Sequence, residues 1–541
     1  MESQAAILTG QDSLTRWIEA FVNEIEPLRR AHNDALWGVH TTADPAHQER
    51  SVELDTRMRT MLSRRDSYER LRHLGDSGAI TEPLLARQLA LLLRDHRENQ
   101  IDPDQIAAIV SLERAVESRF NRFRATLDGR TVTDNELRGL LRDSLDGALR
   151  RRAWEASKQI GEEAVPDLLE LVRRRNDAAR SVGFENFYAM RLELDDLDEA
   201  TLFGLLDELE RGTRAPFADF KRELDAERAK AFGIETAALR PWHYQDPFFQ
   251  RAGLPLDLDR HFEGKCLDAL AESYFQTIGF DIRDLLRRAD LFERPGKNQH
   301  AFCLSVDRGA DVRILCNLRS NEFWMGALLH ELGHAIYEQS LDADLPYLLR
   351  SPSHLLVTEA SAMLFGRLAR NGAWLERYAG ARPERSAAWR AGLARATRTQ
   401  LLVQTRWNLV MCHMERALYR DPAQDLDTLW WDLVERFQAL TRPERRHAPD
   451  WASKIHFSIA PAYYHNYLLG EMTASHLQSH LLREVLGDTE DWDRYVSSPE
   501  VGAFLRERLY RCGKSLDWKA TLRHATGRDL SPAAFVDELA R

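Results

Sequence analysis

Apolar positions recur every three to four residues from about residue 13 to 127 and again from 135 to 229. That is the period of helices that bury one face. Residues 239–255 break the rhythm, with Arg240-Pro241-Trp242 and Asp246-Pro247-Phe248-Phe249 in close succession. Such a stretch reads as an irregular crossing between two lobes. Residues 302–318 alternate apolar and polar side chains around Arg308-Gly309-Ala310-Asp311, which predicts a β-hairpin. Its exposed edge could hold an extended peptide by main-chain hydrogen bonds. Helical spacing returns from 321 to 541. No internal repeat and no low-complexity linker interrupts the chain. The pattern predicts a mostly α protein with one small antiparallel hairpin.

One helical stretch carries chemistry. Phe323, Trp324, Met325, Ala327, Leu328 and Leu329 lead into His330-Glu331-Leu332-Gly333-His334, and Ala335 and Ile336 continue the apolar face. The spacing H-E-x-x-H puts both imidazoles on one helix face, one turn apart, where they can grip one Zn²⁺. Glu331 between them stands where a general base must be. In so apolar a helix two histidines need a partner. A catalytic zinc takes a third protein ligand. The apolar segment 355–366 has one acid, Glu359, about two dozen residues after His334. A lone buried Glu ligates, pairs, or caps the helix. Glu338, one turn after His334, is a weaker candidate, as an outer partner or a solvated charge.

A second stretch, residues 454–467, holds Lys454, His456, Tyr463, Tyr464 and Tyr467 with apolar residues between them. Attack of water on a peptide carbonyl builds negative charge on oxygen, and Tyr hydroxyls or an imidazole can stabilise it. Alone, each Tyr reads equally as the edge of an aromatic core. Beside a zinc motif the catalytic reading gains weight.

Together these residues resemble the gluzincin metallopeptidases, specifically the angiotensin-converting enzyme family, with thimet oligopeptidase and oligoendopeptidase F as related families. Ala35-Leu36-Trp37 with Thr41-Thr42, residues 152–157, 271–279 and 311–316, and Leu348-Leu349-Arg350 extend the likeness over about residues 15–530. It is densest at 300–370 and 450–475. The resemblance implies a two-lobed helical peptidase with a deep central cleft and the hairpin beside the zinc helix. It implies zinc on His330, His334 and Glu359, and Glu331 as general base. His456 and Tyr467 would stabilise the oxyanion. Lys454 and Tyr464 would hold the substrate's free C-terminal carboxylate, with Lys265 where the family has a Gln. The family's His-to-Tyr distance is one residue shorter, so Tyr463 competes with Tyr464. Cys303-Leu304-Ser305 departs from the family, which has a His after that cysteine. The activity implied is release of C-terminal dipeptides from short peptides. Internal cleavage of short peptides is the alternative, and an inactive helical zinc- or peptide-binding protein is the alternative of another class.

Composition narrows the partners. The 541 residues exceed one core, so a single catalytic domain of two lobes over 1–541 is expected. Only 28 Gly and 19 Pro suit long helices. A net charge of −11 gives no reason to expect nucleic acid. The runs Arg150-Arg151-Arg152 and Arg173-Arg174-Arg175 lie among acids and read as solvated helix faces. No stretch is apolar enough to span a membrane, and the first ten residues lack the pattern of a signal peptide. Five scattered cysteines read as free thiols in the cytoplasm rather than as a Cys303–Cys316 bridge.

Overall fold

The computed structural model describes residues 10–42, 44–252 and 257–540. The chain start, residues 1–9, and the end of the irregular segment, residues 253–255, lie outside the described residues. The described chain is mostly helical, with two small antiparallel sheets of two strands each. None of its helices is long and apolar enough to cross a membrane. All five cysteines are free thiols.

The chain divides into two compact units. Unit one is built from Met1–Gln100, Leu256–Ala394 and Leu469–Ser531. Its first helices, Gln11–Thr42, Pro45–Leu62, Arg65–Ser77 and Pro83–Glu98, bury a stripe that includes Leu14, Ile18, Ile25, Leu54, Leu71 and Leu92. The three-to-four spacing of Leu14, Ile18, Phe21 and Ile25 puts them on one face, as the periodicity predicts. Two of these helices begin on an acid followed by proline. Asp44 accepts the amide of Ala46, and Glu82 those of Leu84 and Leu85. Each carboxylate satisfies amides that the first turn cannot, and proline sets the helical φ.

The predicted hairpin is present. Strand β3 (Phe302–Ser305) pairs antiparallel with β4 (Val312–Leu315), Cys303 opposite Ile314. Its turn holds Arg308 at φ 33° and Gly309 at φ 92°. A side chain on Gly309 would meet the carbonyl of Glu338 at 2.9 Å, so glycine lets the turn rest on the end of the helix Glu322–Gln339.

Unit two comprises Ile101–Pro255, Arg395–Leu468 and Pro532–Arg541. Its long helices Gly147–Ser181 and Glu199–Phe232 match the second periodic stretch. The reading of 13–127 as helical fails at its end. Strands β1 (Ala125–Leu127) and β2 (Arg130–Val132) form a hairpin there, turning on Asp128 and Gly129 at φ 52° and 74°. Asp-Gly is a strong two-residue hairpin signal, because both positions need positive φ. Residues 239–252 are irregular, as expected. They contain one short 3-10 turn, Pro241–His243, and Asp246 accepts the amides of Phe248, Gln250 and Arg251.

The arginine runs are corrected in part. Arg150 and Arg175 are buried rather than solvated, while Arg151, Arg173 and Arg174 are exposed. Arg150 donates to the carbonyls of Ser144, Trp242 and Tyr244. Arg175 donates to Tyr419 Oη at 2.9 Å, to the carbonyls of Phe457 and Ser458, and to Glu113 at 2.6 Å. A buried guanidinium endures when its fork is filled, and here it ties the backbone directly after His456 to the long helix. Arg175→Met should lower stability by about 3–5 kcal/mol, because Glu113 and two carbonyls lose their donor. Urea unfolding of the full chain measures this, and a loss under about 1 kcal/mol would deny the network that weight.

Candidate metal centre

The motif helix, Glu322–Gln339, starts at Asn321, whose side chain accepts the amide of Trp324. The predicted second segment is a helix over Leu355–Gly366, begun by His354 accepting the amide of Leu356. The two helices meet at Gly333. A β-carbon there would lie 2.7 Å from Ala362 Cα and 2.9 Å from the Ser361 carbonyl. Only a glycine permits that approach. Ser361 Oγ donates to the Gly333 carbonyl at 2.9 Å and shares a 2.7 Å hydrogen bond with Tyr510 Oη. The packing brings Glu359 to His330 and His334.

His330 Nε2 lies 3.7 Å from Glu359 Oε2, and His334 Nε2 lies 3.9 Å from Oε1. One ligand atom from each residue falls within 4.8 Å of the other two. Ligands on a tetrahedral zinc at about 2.0–2.2 Å sit roughly 3.3–3.5 Å apart, so the two His–Glu distances come within a few tenths of an ångström of a zinc set. The distances are too long for hydrogen bonds. Burial pulls His330 down to about 4 and His334 to about 3, so both rings are neutral near pH 7. Burial, then Glu471, pushes Glu359 up to about 7. Two lone pairs and a carboxyl therefore face one point with no hydrogen bond among them, and a divalent cation resolves that arrangement. His334 Nδ1 lies 2.8 Å from Thr358 Oγ1. With its proton on that hydrogen bond, Nε2 keeps the lone pair a metal needs.

Glu331 is buried beside the trio. Burial and then the charge of Glu359 push it up to about 8, against a hydrogen bond from the Cys303 amide. The hairpin thus holds the carboxyl that the motif helix supplies. Glu338 is half-buried, with its Oε2 enclosed, rather than solvated. Burial raises it to about 7, Ser305 bonds to it, and its Oε2 has no partner. It lies outside the metal-capable trio.

The other predicted residues separate by unit. Lys265, in unit one, donates through Nζ to the Ala379 carbonyl. In unit two, Lys454 Nζ donates to Gln250 Oε1 at 2.9 Å and lies over the rings of Phe248 and Trp407. Burial lowers it to about 8. The His456 ring lies tilted against Tyr464, with ring centres 5.1 Å apart. Burial holds His456 down at about 4 and raises Tyr464. Tyr464 and Tyr463 each lie against Tyr467, at 5.6 and 5.3 Å. Tyr464 is buried and also packs on Trp407.

Sequence reasoning missed Thr358, Ser361 and Tyr510. The signal available was two hydroxyls flanking the single acid of an apolar helix.

Residues 284–541 match Peptidase family M3. The matched stretch contains the metal-capable trio, Glu331 and the 454–467 segment. A stretch of 134 residues is 27% identical to Thermostable carboxypeptidase 1 of Pyrococcus furiosus, covering 24% of this chain and 26% of that protein. The alignment therefore spans about a quarter of that relative's length. Both findings support a metallopeptidase. The family match falls on the oligopeptidase side of the expected resemblance, and the converting-enzyme group itself is not what it carries.

Outer partners that orient a ligand are typically worth about 10–100-fold in metal affinity. Ser361→Ala removes the bond that clasps the two ligand helices, so zinc affinity should fall by about tenfold or more. Competition with a chelator measures it, and an unchanged affinity would remove Ser361 from the centre.

Proposed function

We propose that this protein hydrolyses peptide bonds in short peptides with zinc, releasing dipeptides from the C-terminus. The observation that carries the reading is the convergence of His330, His334 and Glu359 with Glu331 beside them. The Peptidase family M3 match over the same residues supports it.

Zinc, when bound, supplies a Lewis acid for the scissile carbonyl and makes water more acidic. His330, His334 and Glu359 would hold it. Glu331 takes a proton from the attacking water on its carboxylate and passes it to the leaving amine. Its carboxyl stands high because it is buried and because Glu359 repels its charge, and a bound divalent cation would counter that repulsion. His456, neutral near pH 7, and the Tyr467 hydroxyl are the proposed donors to the oxyanion. Tyr464 and Lys454 are the proposed anchors of the C-terminal carboxylate. Lys265 joins them only by leaving the Ala379 carbonyl. The outward edge of β3 is the proposed aligner of the substrate backbone. Five free thiols fit a reducing compartment, and the cytoplasm is the proposed location.

Internal cleavage of short peptides is the second reading, and the family match is compatible with both modes. A helical binding protein without activity is less economical, since a ligand trio and a buried base stand together.

Glu331→Gln should keep stoichiometric zinc and lose nearly all hydrolysis, read by metal analysis and a peptide assay. Normal turnover by that variant would remove Glu331 as the base. Mass spectrometry of products from one peptide with a free or an amidated C-terminus separates the two cleavage modes. Release of dipeptides from the free peptide alone is expected, whereas equal cleavage of both forms rejects carboxylate anchoring. A pH series adds a third check. Lys454 is charged below about 8 and neutral above it, so carboxylate anchoring is present on the acid side and fades on the alkaline side. The kcat/KM for free peptides should fall through about pH 8, with no such step at Lys454→Met.

A further inference from the structure

We infer that Tyr510 is a positioning residue of the metal centre, holding the two ligand-bearing helices in register from a third segment of unit one. The inference rests on the reading that His330, His334 and Glu359 hold a metal, and it deepens that reading by naming what sets the affinity. Tyr510 acts through Ser361 and Tyr337 rather than on the ion.

An unusual turn brings Tyr510 to the helices. The helix Pro499–Phe504 runs on into a wider turn, Leu505–Tyr510. There the Arg511 amide donates to the Arg506 carbonyl, five residues back, at 3.2 Å. Such a π turn holds one residue more than an α turn, and turns of this kind are rare and frequent at functional sites. One residue is about 100° of helix rotation. The extra residue therefore decides which side chain of the segment faces the ligand helices. The start of the segment is pinned as well. A β-carbon on Gly502 would overlap the Ile278 carbonyl, directly after the helix Leu267–Thr277.

Tyr510 is fully enclosed and reaches both ligand helices. Its ring stacks on Tyr337 of the helix Glu322–Gln339, with centres 4.5 Å apart and planes 24° apart. Tyr337 is itself fixed, because its hydroxyl accepts the Ser353 amide at 3.2 Å. The Tyr510 hydroxyl lies 2.7 Å from Ser361 Oγ, on the helix Leu355–Gly366. The direction of that bond follows from the other partner of Ser361. A carbonyl only accepts, so Ser361 gives its one proton to the Gly333 carbonyl. Tyr510 then donates to Ser361. The chain runs from Tyr510 O–H to Ser361 O–H to the Gly333 carbonyl, each bond polarising the next. It ends on the backbone between the two imidazoles, where the helices touch. Phe at this position would stack without donating, and Ser or Thr would donate without stacking.

Competition with a chelator tests this on the full chain loaded with zinc. Tyr510→Phe keeps the ring and removes the donor, so zinc affinity should fall roughly threefold to tenfold. In a Ser361→Ala background the same change should cost less than about twofold, because the chain is already cut. Leu71→Ala opens the core of the first helices and should lower stability without changing zinc affinity. That control separates positioning from general loosening. Unchanged affinity in a folded Tyr510→Phe, additive losses in the double variant, or an equal fall in Leu71→Ala overturns the role. If Tyr510→Phe does not fold, hydrogen exchange of the wild type decides. Coupling is reciprocal, so zinc should slow exchange in peptides spanning 505–511 and leave the helix Pro45–Leu62 as it was. No slowing at 505–511 overturns the role. A wild type that takes up no zinc overturns the metal reading and this role with it, whereas the other outcomes overturn the role alone.

Discussion

Two helices that approach too closely for a β-carbon set the chemistry of unit one. Gly333 lets the helix Glu322–Gln339 lie on Ala362 and the Ser361 carbonyl of its partner. That contact fixes where Glu359 stands relative to the two imidazoles. Core packing is dense enough that a shift of one methyl group is felt. A ligand set with a tolerance of a few tenths of an ångström needs such a foundation, because side-chain flexibility alone would blur it. The Ser361 bond to the Gly333 carbonyl and the Thr358 bond to His334 finish the alignment.

The electrostatics follow from the packing. Burial makes charging the two imidazoles costly and raises Glu359 and Glu331 together. Nearby, the charge of Glu471 is taken by Arg367, whose Nε lies 3.1 Å from its carboxylate, so the arginine compensates Glu471 rather than the trio. Ligand groups that cannot hydrogen-bond to one another are a poor apo state and a good holo state. The Cys303 amide matters for the same reason. It gives Glu331 one fixed hydrogen bond, so the carboxyl is oriented before any substrate arrives.

Unit two works with different material. Aromatic faces and enclosed cations are prominent there. Lys158 and Lys454 both lie over the ring of Phe248, and Arg175 locks the backbone that follows His456. Cations held on ring faces keep part of their charge available, because a quadrupole compensates less than a carboxylate does.

Much of this was legible along the chain. Helical spacing gave the helices, alternation gave β3 and β4, and H-E-x-x-H with one acid in an apolar helix named the trio. These are local patterns, and local geometry translates them directly: a four-residue spacing is one turn wherever the helix lies. The family likeness was legible too, though the match settled on its oligopeptidase side. What only the tertiary structure decided is which of similar residues are buried. Arg150 and Arg175 look like Arg151 and Arg174 in sequence, yet the first pair is enclosed and the second exposed. The partners that enclose them, Tyr244 and Phe457, lie about a hundred residues or more along the chain. The roles of Gly333, Thr358, Ser361 and Tyr510 likewise arise from segments that meet only after folding. Periodicity reports the shape of one element, whereas burial depends on what packs against it.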